Sequence, residues 1–536
     1  TLQVSLVSDL IFLSNADGRR GKMPPMDLKL PPLIRALLDP GRYPHPVAEV
    51  ALHETHISWV LLAGEFAYKI KKPVQLAFLD FSTLDLRKSC CEAELRLNRR
   101  FAPELYLEVL GIGNTPREPV WGGSGPAIEY AVRMRRFDPT QQLDRLCARG
   151  ALRAEHLSNL AETLNRFHAQ AARADAASGM GSPGVILTEA RDNFAELERL
   201  LPDDAAQQQL AALRQWTEHA FSRLEPLMQA RQAAGWVREC HGDLHLANLV
   251  LLGERVQMFD CIEFSDVLRW IDVASELAFT YMDLVSKQQP GLASWFINEV
   301  LSGSGDFEAA WLLRFYAVYR ALVRAKVAAI RQTQPGVRHT GTTEHLALAQ
   351  RLSQPPVRQL VITHGLSGCG KSVAARQLVL NDHTASMVRL RSDVERKRLF
   401  GLQPTERSGA RAGMYGSDAH VRTYTRLHEL AGMLLQAGWS VIVDATFLQR
   451  ADRQTFRALA DQMQASFSIL APQATPDELQ RRIIARSGGG QDASDATLQV
   501  LARQMAAIEP LDSQERQWRM ASAVPVPDLT PPSKAV

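Results

Sequence analysis

Two stretches of this sequence carry residue types and spacings suited to phosphate chemistry. The first is His241-Gly242-Asp243-Leu244-His245-Leu246-Ala247-Asn248. Moving a phosphoryl group takes a carboxylate that orients the acceptor hydroxyl and receives its proton, together with oxygen ligands that keep magnesium on the phosphates. Asp243 and Asn248 supply one of each, at the Asp-to-Asn spacing that such loops use. Twelve residues after Asn248, Asp260 ends the apolar run Val256–Phe259, where a second carboxylate would face the same phosphates. Taken alone, the loop also reads as ordinary turn residues around a hairpin. The spacing and the downstream aspartate favour chemistry.

The second stretch, Gly365-Leu366-Ser367-Gly368-Cys369-Gly370-Lys371-Ser372, is a complete GxxxxGK[ST] pattern between a strand-like run and a helix-like one. Gly365, Gly368 and Gly370 let successive backbone N–H groups, those of Ser367 and Cys369 among them, curl around phosphates at a helix N-terminus. Lys371 is expected on the β- and γ-phosphates and in catalysis, and Ser372 on magnesium. Downstream, Asp393 and Arg396 form a DxxR pair: a carboxylate for an acceptor hydroxyl and a guanidinium to anchor the acceptor. The plainer reading of Asp393 is a helix cap. The apolar strand Val441–Val443 ends in Asp444, expected to hold magnesium through water, with Thr446 beside it. Arg481, Arg482 and Arg486 precede Gly488-Gly489-Gly490. Arg482 and Arg486 stand one turn apart and could close over a transferred phosphate, unless they are simply a surface helix face.

The elements that must position these groups are legible in outline. Strands are expected at 57–62, 66–70 and 127–134, the first two joined as a hairpin by Gly64-Glu65. A helix-favouring stretch spans 85–100, helices dominate 140–230, a strand-loop-strand unit spans 236–262, and helices continue to about 330. Turn formers at 332–343 and Gln354-Pro355-Pro356 mark a linker around a helix near 344–352. Beyond it strands and helices alternate, as in a doubly wound parallel sheet. The expected organisation is a tail or mis-called start over 1–25, a first domain over 26–330, a linker over 331–357, a second domain over 358–515 and a Pro-rich tail over 516–536.

Composition narrows the class. With 46% hydrophobic and 22% charged residues the chain can bury ordinary cores, and a net charge of +3 gives no bulk argument for nucleic acid or a membrane. No apolar run approaches the ~20 residues of a membrane span. The six cysteines form no CxxC pair, so reduced thiols in a cytoplasmic protein are expected rather than a zinc site or a disulfide framework.

The first motif set, over about 30–330, resembles the aminoglycoside phosphotransferase family, which shares the bilobal α+β protein-kinase-like fold. The resemblance implies that Asp243 is the catalytic base and that Asn248 and Asp260 are magnesium ligands. It also makes Asp272 a structural aspartate. It calls for a lysine on the third small-lobe strand, which Lys69 in Phe66-Ala67-Tyr68-Lys69 fits, paired with Glu94 or alternatively Glu92, and for an adenine hinge near 134–137. Lys71 and Lys72 then read as solvated neighbours. No GxGxxG precedes Lys69, and Cys-Ile-Glu follows Asp260. Glu263 is therefore either a supplement to the metal site or a loop residue.

The second set, over about 358–515, resembles P-loop kinases of the polynucleotide kinase, gluconate kinase and zeta-toxin group, an AAA-type label being looser. The fusion resembles predicted bacterial proteins that join an aminoglycoside phosphotransferase domain to an ATP-binding one. ATP and Mg²⁺ are the implied cofactors and small hydroxyl-bearing molecules the implied acceptors. On the helix carrying Tyr316, Arg320 and Arg324, the two arginines could hold an acidic acceptor, or they are a solvated face. Two rivals remain: a P-loop domain that only regulates the first, and a nucleic-acid 5′-hydroxyl kinase. The latter lacks an evident basic-aromatic stripe.

Overall fold

The computed structural model describes residues 30–76, 79–123, 125–332, 341–354, 356–403, 406, 414, 416–487 and 497–520. The expected tail at 1–25, the glycines 488–490 and the segment 521–536 lie outside the described residues. The chain divides into two compact units: Thr1–Lys287 with Leu312–Ser353, and Gln288–Trp311 with Gln354–Val536.

In the first unit an antiparallel sheet runs in the order Val50–Glu54, Ser58–Ala63, Phe66–Lys71, Glu129–Arg135, Tyr106–Thr115, Glu118–Trp121. The expected hairpin turns at Gly64, whose φ of +58° and approach to the Pro46 carbonyl exclude a side chain; a Cβ would lie 2.7 Å from that oxygen. Thr83 caps the helix Leu84–Asn98 by accepting from the Leu86 N–H, and this helix brings Glu94 into the sheet's interior.

The larger lobe is helical. At its centre lies Val273–Ser286, in which every residue from Val273 to Val285 is buried; its polar Glu276, Thr280 and Asp283 are bonded to the motif loop. Asp272 caps it through the Ala274 N–H and also binds Arg231, with Nε to Oδ2 at 2.8 Å. The motif loop packs against this helix, with Leu246 N–H donating to Asp283 Oδ2 at 2.9 Å and Thr280 Oγ1 to the Leu244 carbonyl at 2.6 Å. The hairpin of Leu249–Leu252 and Arg255–Met258 follows the loop, with Asp260 after it. A strand-rich small lobe and a helical large lobe make this a bilobal protein-kinase-like domain.

The second unit is an α/β domain. Its four parallel strands stand in the order Met387–Arg391, Ser440–Asp444, Gln359–Thr363, Ser466–Leu470, with helices in the crossovers. The helix Pro290–Ser304, which the sequence reading ran together with the first domain, groups with this unit instead. The reason is polar as well as steric. Asn298 Nδ2 donates to the Met387 carbonyl at 2.8 Å and its Oδ1 accepts from the Arg389 N–H, so the edge strand gains partners. Ser294 Oγ binds Asp382 at 2.7 Å. Gly291 packs so closely on Leu380 that a Cβ would lie 1.9 Å from its carbonyl oxygen.

Candidate functional site

The strand Phe66–Lys71 alternates its side chains, so Lys69 and Lys71 share one face, and both are buried. Lys69 Nζ donates to Glu94 Oε1 at 2.8 Å and to Asp260 Oδ1 at 2.7 Å. Lys71 Nζ, rather than being solvated, binds Glu94 Oε2 and Glu263 Oε1. The result is one buried chain, Asp260–Lys69–Glu94–Lys71–Glu263. Glu92 stays outside it on the surface, 3.9 Å from Lys88.

Burial alone would depress the Lys69 ammonium, but Asp260, Glu94 and Glu263 outweigh it and raise it well above the ordinary lysine value. Burial alone would raise Glu94, yet Lys69 and Lys71 hold it down at about 2. At Glu263 burial wins and the carboxyl is raised. Two ammonium groups face three carboxylates, so the fully ionised cluster carries a net negative charge. Asp260 Oδ2, itself buried, has no hydrogen-bond partner among the described residues. Both features fit a cation there.

Asp260 has a φ of +60°, a left-handed conformation that aspartate tolerates better than most residues. Its N–H donates to Tyr106 Oη at 3.0 Å, and the next N–H, of Cys261, donates to Asn98 Oδ1 at 2.9 Å. Asp243 is buried, 3.5 Å from His245 Nε2. Asn248 Nδ2 donates to the Asp243 carbonyl at 2.9 Å and to its carboxylate at 3.4 Å, so Oδ1 is the atom Asn248 would offer a cation.

The loop itself hangs on Glu276, whose Oε2 accepts from the N–H groups of His241 (2.7 Å) and Gly242 (3.2 Å), while Oε1 meets His168 Nε2 at 3.3 Å. Ligand atoms of His168, Cys240 and Glu276 lie within 4.8 Å of one another, a spacing that could hold a metal. The carboxylate is already committed to the loop, so we read the trio as its buttress.

A cavity of about 510 Å³ opens beside Lys69 and Asp260, walled by Val60, Leu62, Ala67 and Phe259 and closed by the expected hinge, Met134 to Phe137. Arg320 and Arg324 do not line it. Arg320 is buried, donating to Ser275 Oγ at 3.2 Å and packing on the Phe279 ring at 4.9 Å, while Arg324 is half-buried and acts on Asp283. Arg320 is thus no solvated helix face.

In the second unit, Gly365, Gly368 and Gly370 take φ values of +141°, +88° and +95°, and the helix Lys371–Leu380 follows at once. The loop is anchored where the Asp444 strand ends. Gly365 N–H donates to the Thr446 carbonyl at 3.0 Å, and His364 Nδ1 lies 2.9 Å from the Phe447 carbonyl. Strand register sets Arg391 opposite Asp444, so the helix Ser392–Leu399 starts beside that carboxylate. Asp393 stands in its first turn, 3.2 Å from Arg396, and makes no side-chain cap. Asp444 is buried and its Oδ2 lacks a partner among the described residues. Ser372 is exposed at the mouth of the loop. Lys371 Nζ rests on the Leu366 carbonyl at 2.7 Å and near Cys369 Sγ at 3.8 Å. Arg482 reaches the Gly368 carbonyl at 3.3 Å, whereas the side chain of Arg486 lies outside the described residues.

Sequence reasoning missed Lys71, Tyr106, Arg231 and Glu276. Only Lys71 had a signal, its two-residue spacing from Lys69. Among the described residues, no helix is long and apolar enough to cross a membrane.

A model of the Phosphotransferase enzyme family matches residues 90–339, and a model of an AAA domain matches residues 360–511. Uncharacterized proteins of Mycobacterium tuberculosis and Mycobacterium bovis are 31% identical to this chain over 467 residues, 86% of this chain and 92% of theirs. A choline/ethanolamine kinase family protein from Mesorhizobium loti is similar at 13% identity and a TM-score of 0.38, over 59% of this chain and 90% of that one. A gluconokinase from Sinorhizobium meliloti is similar at 17% identity and a TM-score of 0.22, over 31% of this chain and 85% of that one.

Proposed function

We infer function from one premise: the chain belongs to the same family as the two mycobacterial proteins and joins a Phosphotransferase enzyme family domain to an AAA domain. It is a phosphotransferase. We propose that both sites are live kinases, each passing the γ-phosphate of ATP to a hydroxyl of a small molecule. The observation that carries this reading is the meeting of Lys69 and Asp260 in the wall of the hinge-lined cavity, with buried Glu94 bonded to the same lysine.

At the first site the cavity walls would hold the adenine and Lys69 the α- and β-phosphates. Asn248 Oδ1 and the unpartnered Asp260 Oδ2 would hold magnesium. Asp243, fixed by Asn248 and His245, would orient the acceptor hydroxyl and receive its proton.

At the second site the loop N–H groups from Gly365 to Gly370, with Lys371, would cradle the phosphates, and Ser372 and Asp444 would serve the cation. Asp393 would take the acceptor proton, Arg396 would anchor the acceptor, and Arg482 and Arg486 would close over the phosphate. Bound ATP with magnesium supplies the transferable phosphoryl group and charge neutralisation at both sites.

The test is incubation of the protein with Mg²⁺, γ-labelled ATP and a small-metabolite extract, beside Asp243→Asn, Lys371→Ala and Asp393→Asn variants. Two labelled products, one lost with Asp243→Asn and the other with Asp393→Asn and Lys371→Ala, support two kinases. Free phosphate alone, abolished by Lys371→Ala alone, would leave the second site as a nucleotide switch.

A further inference from the structure

The first unit holds a second cavity, of about 450 Å³, that shares no lining residue with the nucleotide cavity and does not include Asp243. Val185 and Ile186 wall one side and Tyr316 and Tyr319 another. Three charged residues line it, Glu189, Asp272 and Arg320; the cation that acts most strongly on Glu189 is Lys326, ahead of Arg320.

Glu189 and Arg320 each keep a buried polar atom with no hydrogen-bond partner among the described residues: Oε2 of Glu189 and Nε of Arg320. Arg320 is only 3% exposed. An unsatisfied buried polar atom is costly, on the order of 1–3 kcal/mol. A purely structural carboxylate and guanidinium in one cavity would be expected to close on each other and remove that cost. The other carboxylate in the wall, Asp272, is already committed to Arg231 and to its helix cap.

We propose that this cavity binds a small zwitterion, its anionic group on Arg320 and its ammonium on Glu189. Ser275 Oγ, already held by Arg320, completes the anionic end, and the two tyrosine rings cover the ligand's carbon frame. Burial raises the Glu189 carboxyl even though Lys326 and Arg320 act against it, and an ammonium ligand would lower it further. The site is placed to act on the catalytic loop, because Arg320 packs on Phe279, whose ring also meets His245 at 5.6 Å. The inference goes beyond the kinase reading and does not require it.

Equilibrium dialysis and thermal unfolding of the full chain test it, using the standard amino acids and γ-aminobutyrate, with acetate and ethylamine as singly charged controls. At least one zwitterion should bind saturably and raise the melting temperature, with neither control doing so. Glu189→Gln and Arg320→Gln should each weaken that binding by about tenfold or more, the loss of a charge-assisted contact. Glu189→Gln should leave ATP binding unchanged, and Asp243→Asn should bind the zwitterion as the parent does. Glu189→Gln decides alone if Arg320→Gln does not fold. No binding by any zwitterion in the panel, or binding undiminished in Glu189→Gln, overturns the proposal.

Discussion

The two lysines proposed to face phosphates are held in opposite ways. Lys69 is fixed by two carboxylates inside a buried five-residue ionic chain, before any nucleotide is considered. Lys371 makes no ion pair among the described residues and rests on a carbonyl of its own loop, which a phosphate oxygen can replace. The neighbouring Ser367 N–H is likewise lent to Gln504 Oε1, at 2.8 Å. The first site is therefore organised by folding and the second by its ligand. Buried ion pairs bring a large desolvation cost that only good geometry offsets, so changes at the first site should disturb stability and activity together. Changes at the second should reach activity alone.

The strongest test removes the acceptor-side carboxylates. Asp243→Asn is expected to lower formation of the first labelled product by about 10²–10⁴-fold, the usual worth of a positioned general base. Asp393→Asn should do the same to the second product and leave the first intact. If one variant silences both products in the label-transfer assay, the sites are not independent and the comparison breaks.

Stability gives the next contrast. Lys71→Met leaves Glu263 without its cation in a buried position, and breaking such a pair typically costs about 3–5 kcal/mol. Lys371→Met, at a loop that holds its lysine only by a carbonyl, should change stability by less than about 1 kcal/mol. Urea unfolding of the full chain, with the whole unfolding curve of each variant compared with the parent's, checks both. Adding Glu263→Gln to Lys71→Met should recover part of the loss, because no uncompensated charge then remains.

What the sequence made legible follows from the range of the physics. Asp243, Asn248 and Asp260 lie within one short stretch, and the Gly365–Ser372 loop is contiguous, so local spacing was enough to nominate them. The choice of Glu94 over Glu92 agrees with the burial of one and the exposure of the other. The strand alternation that selected Lys69 also selects Lys71, and treating Lys71 as solvated overlooked that. Glu276 and Arg231 were out of reach, since their partners are 35 and 41 residues away and only the fold joins them. That the helix Pro290–Ser304, inside the family match at 90–339, packs with the second unit was out of reach for a similar reason: its partners, Asp382, Met387 and Arg389, are some 90 residues downstream.

Acid sharpens the contrast further. Burial alone would raise Glu276, but its hydrogen bonds to His168 and the loop N–H groups bring it from 4.5 down to about 2. A depressed carboxyl contributes stability that is present above its unfolded value and is lost as pH falls through the folded one. The first unit should therefore lose on the order of 3 kcal/mol between about pH 5 and pH 2 from this group, at ~1.4 kcal/mol per unit. Glu94, also near 2, adds to this slope, and Glu263, which is raised, works against it. Glu276→Gln should flatten the acid limb of unfolding, and an unchanged slope would remove the carboxylate from the account.

The smallest expected effect concerns how tightly folding fixes the first site. The Asp260 backbone lies in the left-handed region, and its N–H is held by Tyr106 Oη at 3.0 Å. Tyr106→Phe keeps the ring in the core and removes only that acceptor, leaving a buried N–H unpaired at a cost of about 1–3 kcal/mol. If folding alone organises the site, the loss should appear as lower stability and as weaker magnesium dependence of the first product, because Asp260 Oδ2 would no longer be held at one place. The second product should be unaffected, because its site has its own strut, Tyr424 Oη, which accepts the Phe447 N–H at 3.0 Å. A Tyr106→Phe protein with full stability and an unchanged magnesium requirement would mean that the nucleotide and its cation, rather than the fold, set Asp260, and the two sites would then differ less than their lysines suggest.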